Sequence, residues 1–336
     1  MRLVSPGRTA KPIKALACGR MSSPTGPDNG LPVRMPRPRQ PGRHRRPEPV
    51  VAPENAPALV LAVPGTPSSA TRGLAEETLS IARSELPGLD ARIGFADGDD
   101  EEFPSLGSAL TQAVADRAAR RRGPVAPDVT PDGEAPAEAA EDDSLPAVVV
   151  PLLAGPNPAL MRRIRQEVLN SATGAELTDV LGPHPLLAEG VHVKLSEAGL
   201  ARADRARLFT VATAADGIVL ATVGGEDAVQ AAGITGMLLA ARLAVPVLAA
   251  GLDEEGAVAR TAEQLHGSGS QQLAVAPCLI GPEIPEGLLE AAAKEAGCST
   301  AEPLGAYPAV GKLVASTYAA KIGIAQQQAP QGMPAR

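Results

Sequence analysis

From residue 57 onward, short apolar runs alternate with longer stretches in which apolar residues recur every three or four positions. The runs read as strands and the stretches as amphipathic helices. ALVLAV (58–63) predicts a strand, and ATRGLAEETLSIARSEL (70–86) a helix. ARIGFAD (91–97) predicts a second strand, and SLGSALTQAVADRAAR (105–120) a second helix. LPAVVVPLLAG (145–155) is apolar almost throughout, as a parallel strand covered on both faces should be. PALMRRIRQEVLN follows as a helix, with Leu160, Ile164 and Val168 on one stripe.

The pattern then repeats. GIVLATVGG (217–225) echoes ALVLAVPGT (58–66), and VPVLAAGLDEE (245–255) echoes ARIGFADGDDEE (91–102). PCLIGP (277–282) echoes PLLAGP (151–156), and GAYPAVGKLVASTYAAK (305–321) echoes GPHPLLAEGVHVKLSEA (182–198). The offset between echoes is 159 at the first strand, 153 at the acidic trio and 126 at the third strand. The last drop, 27 positions, is close to the length of the polar, Pro-rich and acidic stretch 121–144, which reads as a disordered insertion. The expected fold is α/β: two tandem doubly wound parallel-sheet halves, each a flavodoxin-like three-layer α/β/α unit. The expected boundaries are a basic arm over 1–56, halves over 57–205 and 206–325, and a short tail over 326–336. Ligands in such sheets sit beyond the carboxyl ends of the strands. The halves are therefore expected to face each other across a cleft lined by the loops at 63–70, 96–104 and 154–159 and their counterparts.

Composition narrows the chemistry. Aromatic residues make up 1% of the chain, with no Trp. That argues against stacking platforms for flavin rings, sugars or single-stranded nucleic acid. The net charge of −7 conceals a basic stretch, RMPRPRQPGRHRRPEP (34–49), in an otherwise acidic chain. This arm lacks apolar periodicity and reads as a solvated segment; nucleic acid is expected as a partner only through it. Met21 and Met35 are alternative starts. The three cysteines include no pair with metal-ligand spacing, and so sparse a set does not suggest a disulfide framework. No apolar run reaches the roughly 18 residues a membrane span needs, and no signal-peptide core is present, so a cytoplasmic location is expected.

The ordered set of segments resembles the CbiX-type sirohydrochlorin chelatases. LVLAVPGT looks like that family's opening strand and loop, usually written LVLVAHGS. GFADGDDEEFPSLGSAL is similar to its second strand and loop, and VVVPLLAG resembles its third strand. LGPHPLLAEGV and EPLGAYPAVGKLV match its Leu-Gly-x-x-Pro turn before a helix. The resemblance covers about 57–325, including the duplication found in longer members. It implies a chelatase-like fold, a tetrapyrrole as small-molecule partner, and insertion of divalent cobalt or iron into sirohydrochlorin, a lyase reaction. Ring insertion needs a base for two pyrrole protons and moderate ligands that hold and release the metal; neutral imidazole serves both roles. The family's first histidine falls on Pro64 and its second within Asn157–Ala159; in the second half the first position is Val223. The resemblance therefore implies a pseudo-enzyme that keeps its ring-binding site.

Other residues enter as candidates. Asp97, Asp99, Asp100 and Glu101, with LDEE (252–255) opposite, are candidate oxygen ligands for a divalent ion, or else a solvated acidic loop. Arg162, Arg163 and Arg165, at the start of a helix, are candidates for the carboxylates of a tetrapyrrole, or else a solvent face. Asn157, Gly65, Thr66 and Ser68 complete the substrate-binding set. Gly65, Thr66 and Ser68 lie in GTPSSATRG, which supports an alternative: a nucleotide- or flavin-phosphate-binding module cradled by backbone N–H groups and hydroxyls. A regulatory interaction module is the third reading. His184 and His192 are expected in surface or packing roles, and His266 as a helix-end charge partner.

Overall fold

Strands and helices alternate strictly along the residues that the computed structural model describes, 50–122, 145–201 and 214–324. The first half comprises β1 (Ala58–Val63), α1 (Ser69–Glu85), β2 (Ala91–Phe95), α2 (Leu106–Arg122), β3 (Ala147–Pro151), α3 (Pro158–Asn170), β4 (Glu176–Leu177) and α4 (Pro185–Glu197). The second comprises β5 (Gly217–Thr222), α5 (Gly225–Leu243), β6 (Val247–Gly251), α6 (Ala257–Gly267), β7 (Leu273–Pro277), α7 (Leu288–Glu295), β8 (Ser299–Thr300) and α8 (Pro308–Lys321). Each half is a four-stranded parallel sheet, in the orders β2-β1-β3-β4 and β6-β5-β7-β8. The α/β two-sheet expectation is thus met.

The duplication extends to individual hydrogen bonds. Ala96 N–H donates to the Val63 carbonyl and Leu252 N–H to the Thr222 carbonyl. Leu152 N–H donates to Ala62 and Cys278 N–H to Ala221, while Thr178 N–H donates to Val149 and Ala301 N–H to Val275. Strand pairing places Phe95 opposite Val63 and Gly251 opposite Thr222. The acidic loops are therefore related by 156 positions, not 153, and Asp97 corresponds to Asp253. Charge pattern misplaced that register because the two loops have different lengths, whereas hydrogen bonding fixes it.

The cores explain the layering. β1 is fully buried along its length, so its side chains face apolar partners on both sides; each buried Val or Leu contributes about 2 kcal/mol of transfer free energy. Val60 and Ala62 pack outward with Leu106, Leu110 and Ile164 of α2 and α3. Val219 and Ala221 do the same with Val258, Leu265 and Leu289 in the second half. On the other face, Leu59, Leu61 and Val63 share one cluster with Leu79 of α1, Val191 of α4, Leu220 of β5, Leu239 of α5 and Val310 and Tyr318 of α8. Helix α1 packs on α8, and correspondingly α5 packs on α4. The halves are thus related by a pseudo-two-fold and fused through a shared helical layer.

The halves close on each other through this layer, and the expected cleft is confined to the strand ends, where the loop after β3 and those after β5, β6 and β7 line one cavity. Small side chains on the facing helices, such as Gly311 of α8 against Ile81 and the Thr78 carbonyl of α1, let the layers close. Packing onto the first half also begins before 57: Ala52 is buried, its N–H donates to the Pro87 carbonyl, and Arg117 donates to the Asn55 carbonyl. Helix α2 runs to Arg122, past the expected start of the insertion at 121. The remaining arm, most of the insertion and the tail lie outside the described residues.

Candidate functional site

The carboxyl ends of β1, β3, β5 and β7 meet at the pseudo-two-fold. Two contacts define the meeting. Gly65, with φ +78°, sits so close to the second half that a Cβ would lie 2.1 Å from the Pro282 carbonyl oxygen. Gly224, with φ +122°, sits equally close to the first half: a Cβ would lie 2.3 Å from the Pro156 carbonyl oxygen. Each first-strand loop is thus seated on the third-strand loop of the opposite half. Only glycine permits both the backbone conformation and the approach.

Two of the three residues expected to bind phosphate or substrate in the first loop, Gly65 and Ser68, are already engaged. Pro64 is buried, Gly65 is committed to the contact with Pro282, and Thr66 is exposed. Ser68 N-caps α1: its Oγ accepts from Thr71 N–H at 3.1 Å, and Thr71 Oγ1 accepts from Ser68 N–H at 2.9 Å. This reciprocal capping box engages both hydroxyls and the N–H groups of Ser68 and Thr71 locally. Asn157 N-caps α3, its Oδ1 accepting from Leu160 N–H at 3.1 Å, ahead of Pro158 at the first helical turn.

The three arginines separate. Arg163 forms an ion pair with Asp97 and donates to the Ala96 carbonyl, tying α3 to the loop after β2. Arg162 and Arg165 remain exposed and line a cavity of about 500 Å³ with Asn157, Met161, Asp179 and Pro183. Arg162 also stands on the rim of an adjoining cavity of about 480 Å³, opposite Val223, Asp253, Glu283 and Leu288. The two cavities share Asn157, Pro158 and Arg162.

The acidic loop is folded onto its own backbone. Asp99 Oδ1 accepts from the N–H groups of Glu101, Glu102 and Phe103, and these bonds hold its carboxyl below the usual range. Asp100, at φ 67°, accepts from Ser108 Oγ at 2.6 Å and Ser105 N–H at 2.7 Å, which lowers its pKa in the same way. Among the described residues no group of three or more His, Cys, Asp or Glu side chains is gathered as a metal site. Asp253, the counterpart of Asp97, accepts from Gly224 and Gly225 N–H at 3.2 and 2.8 Å and so caps α5 from a distance.

Glu283 was not anticipated. The third-strand offset of 126 carries Asn157 onto it, so the repeat held the signal. Its Oε1 accepts from Ala154 N–H in the first half at 3.3 Å and from Ile280 N–H at 3.0 Å; Oε2 accepts from Gly281 N–H at 2.6 Å. Part of the residue faces the cavity, but the carboxylate is enclosed, and burial raises its pKa against the pull of those bonds. Cys278, buried behind it, has its thiol pushed up to about 12 by burial and stays protonated. A nucleophilic role there is excluded at neutral pH.

The histidines serve structure. His184 N-caps α4 through Nδ1, which accepts from Leu186 N–H at 3.1 Å, and burial lowers its pKa. Buried His192 accepts from Arg242 Nε at 3.0 Å across the shared layer. His266 ends α6, with Nδ1 2.8 Å from the Ser270 carbonyl. No histidine lines either cavity. The arrangement can hold an anion through two guanidinium forks; of the carboxylates beside it, those of Asp253 and Glu283 are engaged by N–H donors, and exposed Asp179 shares the larger cavity with the arginines.

No protein-family model matches the chain, and no curated protein matches it. Solved structures with some similarity include a periplasmic ribose ABC transporter from Conexibacter woesei, at 13% identity over 66% of this chain and 64% of that one, TM-score 0.26. The chain thus spans just under two thirds of that protein's length. An extracellular ligand-binding receptor from Verminephrobacter eiseniae is 10% identical over 79% of this chain and 69% of that one, TM-score 0.28. A probable LacI family transcriptional regulator from Corynebacterium glutamicum is 15% identical over 79% of this chain and 94% of that one, TM-score 0.31. Matches at these values assign neither ligand nor activity to this chain.

Proposed function

We propose that this chain is a chelatase-like pseudo-enzyme that binds a carboxylate-rich tetrapyrrole without inserting a metal into it. The observation that carries this reading is the placement of Arg162. It stands where two adjoining cavities meet, beside the carboxyl end of β3 and within the first turns of α3, with Arg165 in the larger cavity. Guanidinium forks pair with carboxylates bidentately, and a macrocycle rimmed by carboxylates offers several partners. Met161, Val180 and Pro183 supply apolar surface for a ring face. Insertion chemistry needs a base and a transferable metal ligand. The positions that the family resemblance assigns to them hold buried Pro64 and the stretch Asn157–Ala159, where Asn157 caps α3; the counterparts of Pro64 and Asn157 are Val223 and Glu283.

Titrating the full chain with sirohydrochlorin, with and without cobalt, tests the reading by absorbance. The expected result is a saturable spectral shift with no acceleration of metal insertion. Replacing Arg162 and Arg165 together by Ala should weaken binding by about 10- to 100-fold, the loss of two charge-assisted contacts. Accelerated insertion would overturn the pseudo-enzyme part, and the absence of any shift would overturn the tetrapyrrole part.

A further inference from the structure

The duplication supplies its own control, because corresponding edges of the two sheets can be compared residue by residue. β2 and β6 are edge strands. An open edge presents unpaired N–H and C=O groups and invites another strand. Pro246 C=O and Leu252 N–H both bond toward β5, so by the alternation of a strand Val247, Ala249 and Gly251 turn their backbone groups outward. Their counterparts on β2 are Ala91, Ile93 and Phe95.

The β2 edge is closed from within. Arg83 of α1 donates to the Ala91 carbonyl at 2.6 Å, and Phe95 N–H donates to the Pro104 carbonyl at 2.9 Å. Arg92 stands on the strand between them, paired with Asp116 at 2.7 Å and Asp90 at 3.6 Å. Charged side chains of this kind keep an edge from pairing.

The β6 edge lacks the two charged devices, while Gly251, the counterpart of Phe95, is buried. Leu248 replaces Arg92 and is 38% exposed. Aligning the buried faces of α1 and α5 on Ala75 with Ala232 and Thr78 with Thr235 places Ala240 where Arg83 stands. The same alignment replaces Glu77 and Ser80 by Ile234 and Met237, which are 46% and 67% exposed, and Leu238 beside them is also exposed. Gly236 of this helix lies directly on Val247. Open backbone groups are therefore flanked by Leu248 on one face of the strand and by the Met237 face of α5 on the other. Between Asp227 and Arg242 helix α5 carries no charge.

We infer that a second copy of this chain docks on the β6 edge, pairing β6 with β6 antiparallel about a two-fold axis. Beyond the basic stretch 34–49 acidic residues outnumber basic ones, so copies of that part of the chain repel one another on balance. The charge-free β6 edge is the place where two copies meet without opposed like charges. An isologous contact also requires a patch complementary to itself, and an uncharged strand edge is that. The pairing runs through the partly exposed Val247 and Ala249, Gly251 being buried, and joins the two four-stranded sheets into one of eight. The pairing leaves Arg162 and the cavities untouched, so it stands or falls separately from tetrapyrrole binding.

Sedimentation equilibrium on the full chain tests it, with far-UV circular dichroism as a check on folding. The expected species is a dimer, twice 34.1 kDa. Leu248→Lys places like charges against each other across the contact and should raise the dissociation constant at least about 100-fold. Ala249→Pro removes an outward N–H at an edge position where proline is tolerated and should do the same. Glu77→Ala, at the corresponding place in the first half, should leave the dimer unchanged. A monomer at concentrations of about 100 µM would overturn the inference. A dimer that survives both β6 substitutions in folded protein would overturn it equally, whether another face or another segment of the chain is responsible.

Discussion

Glu283 shows how one side chain can tie two folded halves together and set a pH dependence. Its carboxylate gathers N–H groups from Ala154 in one half and from Ile280 and Gly281 in the other. Burial nevertheless raises its pKa. A carboxyl whose folded pKa lies above its unfolded one contributes stability in the protonated form. That contribution is present below the ordinary glutamate range and is lost as pH rises through the raised value. Asp99, Asp100 and Asp216, lowered by hydrogen bonds, and Asp116, lowered by Arg92, act in the opposite direction. Glu283→Gln removes one contribution and leaves theirs. In urea titrations across the acidic range, the difference between variant and parent should shift in the variant's favour as pH rises, by about 1.4 kcal/mol for each unit by which the pKa was raised. A difference that does not vary with pH would show that the carboxylate is not strained by burial.

At the scale of elements, helix starts decide what the loops can do. The loop GTPSSATRG looks free to cradle phosphate when read as a sequence. In the structure Ser68 and Thr71 satisfy each other, and the loop's glycine is pressed against Pro282. The corresponding α5 start has glycines and no hydroxyl; Asp253 reaches over from the next loop instead. Two solutions to the same capping problem therefore follow from one ancestral pattern. Asp253→Ala should cost about 1–2 kcal/mol in chemical denaturation, the value of a helix cap assisted by the helix dipole.

At the scale of the molecule, the halves are not separable lobes. Tyr318 of α8 donates to the Pro57 carbonyl beside β1, and Arg242 of α5 meets His192 of α4. The apolar cluster between the sheets draws on both halves without interruption. Differential scanning calorimetry should accordingly show one transition, with the van't Hoff and calorimetric enthalpies equal per cooperative unit. Two resolved transitions would mean that the shared layer is not a core. Among the described residues no helix is long and apolar enough to cross a membrane.

The sequence by itself determined the alternation of strands and helices, the two halves and their order, because burial on both faces of a parallel sheet forces continuous apolar runs that any register displays. The contrast of Arg92 with Leu248 emerged only from the hydrogen-bonded register, because the offset read from the acidic trio is three positions off. Tertiary structure alone decided what the loops became. Gly65 and Gly224 read as ordinary turn residues until each is seen against the opposite half. Arg162, Arg163 and Arg165 are equivalent as letters, yet Asp97 captures only the middle one. The acidic trio defeated alignment by charge, since loop length varies freely where no hydrogen-bonded register constrains it. Local pattern encodes what each segment buries, and only packing decides which polar groups are left for a ligand.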